Sequence, residues 1–72
     1  MTLDSLPSGQ WARVQDVRAE RSLRRRLFEL GFVPGTKVRV IRRAPLGDPL
    51  ELELRGGRLS LRAVEAAGIE VA

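Results

Sequence analysis

The side chains of this chain that could do chemistry are hydroxyls, carboxylates and guanidinium groups. A serine or threonine becomes a nucleophile only beside a general base, and the sequence contains neither histidine nor cysteine. The hydroxyls left without such a base are Thr2, Ser5, Ser8, Ser22, Thr36 and Ser60. No glycine-rich loop followed by a lysine is present to hold the phosphates of a nucleotide. The sequence therefore predicts a binding protein with no catalytic residue and no cofactor, not an enzyme.

The same residue types argue against a metal site. Borderline metals prefer histidine and cysteine ligands, and hard cations require several oxygen ligands close together. The nine acidic residues are instead scattered along the 72 positions. We therefore expect no metal site in this chain by itself.

Arginine supplies twelve of the thirteen positive charges, and the net charge is +4. The cations are concentrated between residues 36 and 62, where they outnumber the acidic residues by seven to three. The planar guanidinium group suits recognition of carboxylate or phosphate. A compositional bias of the whole sequence explains the same numbers, and the sequence leaves both explanations open.

Length and composition indicate one small globular domain over residues 1–72. With 43% hydrophobic residues but only two Phe and one Trp, the core must consist mainly of Leu, Val, Ile and Ala. Small secreted proteins usually need disulfides, and a bilayer span needs roughly 20 apolar residues; the sequence has neither. We expect a cytoplasmic protein that reaches a membrane only through a partner.

Periodicity predicts five strands. Apolar and polar residues alternate in short runs, most clearly from Leu50 to Arg55. Ile41 breaks the alternation in the second strand, which indicates burial on both sides or a bulge. The strands are expected over residues 10–17, 36–43, 50–55, 58–62 and 69–71, with one helical turn over 63–67.

One short helix is expected between the first two strands. Leu23, Leu27 and Leu30 recur with helical spacing and predict a buried stripe. Ser22 precedes them as an N-cap, and Gly31 follows as the left-handed residue that ends the helix.

Glycine and proline mark the tight turns. Pro34 and Gly35 fit the centre of a type II turn, because proline presets the first φ angle and glycine accepts the positive one. Gly56 and Gly57 fit the two positive φ angles of a tight hairpin. Five short strands joined in this way, with one helix, predict a small and partly open barrel.

The loop over residues 44–49 is a candidate contact, since its two prolines and Gly47 cannot sustain a strand. Leu46 lies between the two prolines, which lower the entropy cost of presenting it. It either plugs one end of the barrel or enters a partner's pocket. Asp48, before Pro49, is expected to accept a hydrogen bond in the turn instead of binding a metal.

The helix offers a second candidate contact. Phe28 lies off the leucine stripe and between Arg21, Arg24 and Arg25. Arg24, Arg25 and Arg26 fall in the first turns, where a cation opposes the helix dipole by up to about 1 kcal/mol, so these three do not serve the stability of the helix. Phe28 either tucks under a neighbouring segment or forms a contact with the arginines for an acidic partner.

The strands carry charges of both signs. We expect Lys37 and Arg39 to lie across from Glu51 and Glu53 and to contribute only some tenths of a kcal/mol per pair. That pairing leaves a basic patch of Arg42, Arg43, Arg58 and Arg62. With Trp11 as a stacking ring, such a patch would suit nucleic acid, which is the alternative function. Arg42 or Arg43 could also act in trans as an arginine finger for a G protein.

The order of the residues, and not only their types, resembles the FeoA domain, ferrous iron transport protein A. The resemblance covers nearly the whole chain, and the combination of LGFVPGT with APLGDP is specific. The residues that carry it are Leu6, Gly9, Ala12, Val14, Arg26-Leu27, Glu29-Leu30-Gly31, Pro34-Gly35-Thr36, Ala44 to Pro49, Leu61-Arg62, Glu65-Ala66 and Ile69-Glu70-Val71.

The resemblance implies a mainly β, SH3-like barrel of the cytosol that binds and modulates FeoB, the membrane permease for ferrous iron, through its G-protein domain. It implies no nucleic acid partner, while an open sheet edge allows weak self-association. The residues we expect at the partner contact are Arg24, Arg25, Phe28, Phe32, Arg42, Arg43, Pro45 and Leu46. The expected turn residues are Gly31, Pro34, Gly35, Gly47, Pro49, Gly56 and Gly57.

Overall fold

Five strands form one antiparallel sheet in a computed structural model that describes residues 1–72. They are β1 (Trp11–Val17), β2 (Lys37–Arg43), β3 (Leu50–Leu54), β4 (Gly57–Leu61) and β5 (Ile69–Val71). Their order across the sheet is β4-β3-β2-β1-β5, so β4 and β5 are the edges. All five predicted strands are confirmed to within one residue at each end. The mainly β architecture with one short α-helix is also confirmed.

The inward residues of the strands pack into a single core. Its sixteen members are mostly Leu and Val, as the composition predicted. Phe32 is the largest of them and has no exposed surface. The prediction that Phe32 contacts a partner is therefore wrong. The chain reverses at Gly31, the Phe32 N–H donates to the Leu27 carbonyl at 3.0 Å, and the ring is enclosed in the core.

Helix α1 (Arg21–Leu30) begins with a different cap from the predicted one. Glu20 is the N-cap, and its carboxylate accepts hydrogen bonds from the backbone N–H groups of Ser22 at 3.1 Å and Leu23 at 2.6 Å. The Ser22 hydroxyl also donates to Glu20, at 2.7 Å. These bonds lower the pKa of the Glu20 carboxyl below its usual 4.5, because they favour the ionised form. The largest contribution comes from the Ser22 hydroxyl and smaller ones from the two backbone N–H groups.

The buried stripe of α1 is narrower than the leucine spacing predicted. Leu27 is fully buried and Leu23 is half-buried, but 42% of Leu30 is exposed. Leu30 sits in the last turn, where the helix ends at Gly31 in the left-handed region with φ of 110°. The left-handed φ favours glycine at this position, and a Cβ atom there would also lie 3.2 Å from Cδ of Arg55, a tight contact that the arginine side chain would have to relieve.

The turns follow the predictions with one correction. Thr36 N–H donates to the Val33 carbonyl at 3.1 Å across Pro34 and Gly35, which confirms that turn. The β3–β4 hairpin, however, is not centred on Gly56 and Gly57. Its two positive φ angles belong to Arg55 and Gly56. Gly57 is already the first residue of β4, because it pairs with Leu54.

Two further elements complete the fold. A 3-10 helix, Leu3–Ser5, was not predicted, and with it Leu3 and Leu6 become fully buried. Helix α2 (Ala63–Ala66) lies where one helical turn was expected. No helix in the structure reaches the length and apolarity that a membrane span requires.

Candidate functional site

Several arginines on the outer face of the sheet form ion pairs with glutamates of the neighbouring strand. Arg39 pairs with Glu53 at 2.6 Å, as predicted. Glu51 pairs with Arg42 instead of Lys37. The antiparallel register pairs Val38 with Leu54, which puts Lys37 at the far end of β3 from Glu51, and a bulge in β2 between Val40 and Arg42 places Arg42 across from Glu51.

Arg43 has a structural role in the free protein, and its assignment to the partner contact stays a prediction. Its guanidinium group donates to the carbonyl oxygens of Asp4 at 2.6 Å and Leu6 at 3.1 Å. A weaker contact reaches the Ser8 hydroxyl at 3.4 Å. The side chain thus fastens the N-terminal segment to β2 and is unavailable as an arginine finger.

The helix candidates form a small patch in which the ring is covered. The Arg24 guanidinium lies 4.6 Å from the centroid of the Phe28 ring, and Arg24 Nε donates to the Val17 carbonyl at 3.1 Å. Phe28 is half-buried against the core. Arg25 is exposed and pairs only with Glu29, one turn away. The structure therefore leaves Arg25 as the freely accessible member of this patch.

The loop between β2 and β3 holds an apolar side chain out in solvent. Leu46 is 96% exposed, so the alternative in which it plugs the barrel is wrong. The loop is nevertheless ordered by backbone bonds from Gly47 N–H to the Ala44 carbonyl at 2.7 Å and from Ala44 N–H to the Pro49 carbonyl at 3.1 Å. Gly47 has a φ of 86°, as a turn residue should.

Asp48 links this loop to α2. Its carboxylate accepts a hydrogen bond from the Ala63 N–H, the first of the helix, at 2.9 Å. The residue is a hydrogen-bond acceptor, as expected, but for a helix distant in sequence and not for its own turn. Val64, the next residue of α2, is 76% exposed. Two exposed apolar side chains, Leu46 and Val64, thus lie on segments that this bond joins.

An open pocket of about 530 Å³ lies beside the same loop. Glu65 accepts a hydrogen bond from Arg26 at 2.8 Å and another from the Arg62 N–H at 3.1 Å. The guanidinium group of Arg62 has no carboxylate within ion-pair distance. The pocket is lined by Arg26, Pro49, Ser60, Leu61, Arg62 and Glu65.

We call Leu46, Pro49, Val64, Arg26 and Arg62 the loop–α2 surface. Of these residues, only Leu46 was among the predicted contacts and Pro49 among the predicted turns. The others lie on segments that the hydrogen bonds of Asp48 and Glu65 join across the fold, and no local spacing in the sequence indicates this arrangement.

The loop–α2 surface offers exposed apolar area, a free cation and a rigid loop. Such features suit binding of another protein. No group of three or more His, Cys, Asp or Glu residues is placed to hold a metal ion.

Comparison with known proteins gives this arrangement a context. The family model described as the FeoA domain matches residues 1–72. A Porphyromonas gingivalis protein, the Fe(2+) transport protein A/Fe(2+) transporter FeoB fusion protein, is 38% identical over 71 residues. That match covers 99% of this chain but only 8% of the fusion protein.

Two solved structures share the fold. The FeoA protein from Chlorobium tepidum is 49% identical with a TM-score of 0.91, over 99% of this chain and 68% of that one. FeoA of Stenotrophomonas maltophilia, described as a prokaryotic SH3 domain protein complexed with zinc, is 39% identical with a TM-score of 0.88, over 100% of this chain and 89% of that one. These findings confirm the SH3-like fold and the resemblance drawn from the sequence. The chain belongs to the FeoA domain family.

Proposed function

We propose that this protein is a cytoplasmic accessory protein of ferrous iron transport that binds a FeoB-type permease and modulates it. The observation that carries the proposal is the Porphyromonas gingivalis fusion, in which a segment similar to this whole chain is joined to the transporter. Fusion keeps two modules at a high effective concentration, which favours a contact between them. The Stenotrophomonas maltophilia relative is described as a candidate activating factor of ferrous iron transport, which supports the same role.

The loop–α2 surface is the proposed contact with the G-protein domain of the permease. Leu46 is almost fully solvated in the free protein, and burying a leucine side chain stabilises a complex by about 1.5–3 kcal/mol. The hydrogen bonds within the loop, and the bond from Asp48 to α2, fix the backbone that carries the leucine before binding. Little conformational entropy is therefore lost when the partner binds.

The helix patch and Arg42 are proposed as supporting contacts. Arg25 is exposed and its pair with Glu29 is worth little at the surface, so it can exchange that partner for a carboxylate of the permease. Replacing Arg24 and Arg25 by Glu should weaken binding while the fold remains. Arg42 is mostly exposed although it pairs with Glu51, and Pro45 is exposed beside Leu46.

The test is capture of the permease, solubilised from membranes of the same organism, on the immobilised wild-type protein. Leu46→Asp removes the apolar contact and adds one negative charge, and it should lower the affinity at least about tenfold, the equivalent of 1.4 kcal/mol. Arg18→Gln is the matched control, because it lowers the net charge by the same amount at an exposed position outside the proposed contacts.

Retention of the permease by wild type and Arg18→Gln, with loss by Leu46→Asp, supports the proposal. If Leu46→Asp captures as much permease as the wild-type protein does, the loop–α2 surface is not the contact. If the wild-type protein retains no permease, the proposed function itself is wrong.

A further inference from the structure

The outer face of β1 and β2 carries two cations that repel each other. Arg13 lies directly across from Lys37 in the register of the two strands. Like charges placed opposite each other destabilise a sheet. Neither side chain is within ion-pair distance of a carboxylate, although Arg13 donates to the Gly35 carbonyl at 2.8 Å. Both charges are therefore available to acidic groups of another molecule.

Trp11 lies next to these cations on the same face. It pairs across the strands with Arg39, whose guanidinium lies 5.0 Å from the ring centroid. The Lys37 ammonium is 5.7 Å from the same ring. Two cations thus contact the ring, yet 44% of the residue remains exposed. Tryptophan and arginine are enriched among the residues that dominate binding energy at protein interfaces.

We propose that the Trp11 face, defined as Trp11, Arg13 and Lys37, binds an acidic segment of a partner protein. Carboxylates of that segment neutralise Arg13 and Lys37, and an apolar side chain of the segment covers the tryptophan ring. Removal of the like-charge repulsion adds to the binding energy. The face shares no residue with the loop–α2 surface, so this binding site is additional to the proposed permease contact.

The charges of the face favour a polypeptide over a nucleic acid. Glu53 lies in the same row and is paired with Arg39, so only Arg13 and Lys37 are left as cations without an acidic partner beside the ring. Single-stranded nucleic acids are bound by several stacking rings along a basic groove, whereas this face presents one ring. A short segment with two or three carboxylates matches the two free cations better.

The test uses a ten-residue polyglutamate peptide as the probe, titrated into the whole protein at low salt. Trp11 is the single tryptophan of the chain, so its fluorescence reports binding at this face directly. We expect a saturable change in emission that weakens as salt rises, because exposed charges are screened within a Debye length. A polyglutamine peptide of equal length should cause no change.

Two charge reversals locate the site. Lys37→Glu should weaken polyglutamate binding about tenfold, since it removes one cation and adds an opposing charge. Arg18→Glu makes the same change in net charge at an exposed position just beyond the end of β1, outside every proposed contact, and should leave the affinity within about twofold. Arg13→Gln should weaken binding about threefold, and circular dichroism verifies the fold of each variant.

Absence of a saturable fluorescence change with polyglutamate would overturn the proposal. Equal weakening by Lys37→Glu and Arg18→Glu would also overturn it, because only the net charge would then matter. Tighter binding of a ten-nucleotide oligothymidine than of polyglutamate would assign the face to nucleic acid instead.

Discussion

Replacing Phe32 by Ala tests whether this ring belongs to the core or to a partner contact. The residue is fully buried and is the largest side chain in the core. Truncating a buried phenylalanine to alanine typically costs about 3–5 kcal/mol, through lost burial and the cavity that remains. At about 0.05–0.15 kcal/mol per residue, a chain of 72 residues has a total stability of roughly 4–11 kcal/mol. The substitution should therefore remove a large part of the free energy of unfolding.

The assay is urea unfolding followed by far-ultraviolet circular dichroism. With a urea dependence of about 1 kcal/mol per molar for a small domain, the midpoint of Phe32→Ala should fall by about 3 M or more. Phe28→Ala is the matched control, because Phe28 is half-buried and its ring is covered by one arginine. Its midpoint should fall by clearly less. Reduced capture of the permease by Phe32→Ala with an unchanged midpoint would refute the assignment of Phe32 to the core.

Three further changes probe the contacts that shape the fold. Folding lowers the pKa of Glu20, so the ionised carboxylate stabilises the fold above pH 4.5 and this stabilisation is lost as the pH falls through the pKa of the folded state. The urea midpoint of the wild-type protein should exceed that of Glu20→Gln by less at about pH 3 than at about pH 7, and a constant difference would contradict the cap. Asp48→Ala should lower stability by about 0.5–1.5 kcal/mol in urea unfolding by losing the bond to Ala63, and no loss would mean that this bond does not hold the loop to α2. Gly68→Ala should lower it by about 1–3 kcal/mol because a Cβ atom there would lie 2.4 Å from the Arg18 carbonyl oxygen, and an unchanged thermal midpoint would contradict that close approach.

Local sequence rules predicted most of the architecture. Alternation located the strands, because one face of each is buried, and a lone glycine after a leucine run located the end of α1. The wrong predictions concern residues whose burial depends on tertiary packing and not on local spacing. Leu30 has helical spacing but lies in the last turn beside solvent, whereas Phe32 follows the reversal and is enclosed by the sheet.

The candidate site was less predictable, because its contacts join segments far apart in the chain. Periodicity does not apply within the loop, so the sequence left the exposure of Leu46 open. Ile41 did indicate a bulge, but the sequence did not show that Arg42 would lie across from Glu51 and form an ion pair with it. The bond from Asp48 to α2 spans fifteen positions and has no local signature.

The most direct test of the central claim is ferrous iron uptake by cells that carry the FeoB-type permease and lack this protein. The uptake rate should differ from that of intact cells, and expression of the wild-type protein or of Arg18→Gln should restore it. Leu46→Asp, expressed at the same level, should fail to restore it. Full restoration by Leu46→Asp, or an unchanged rate without the protein, would contradict the account.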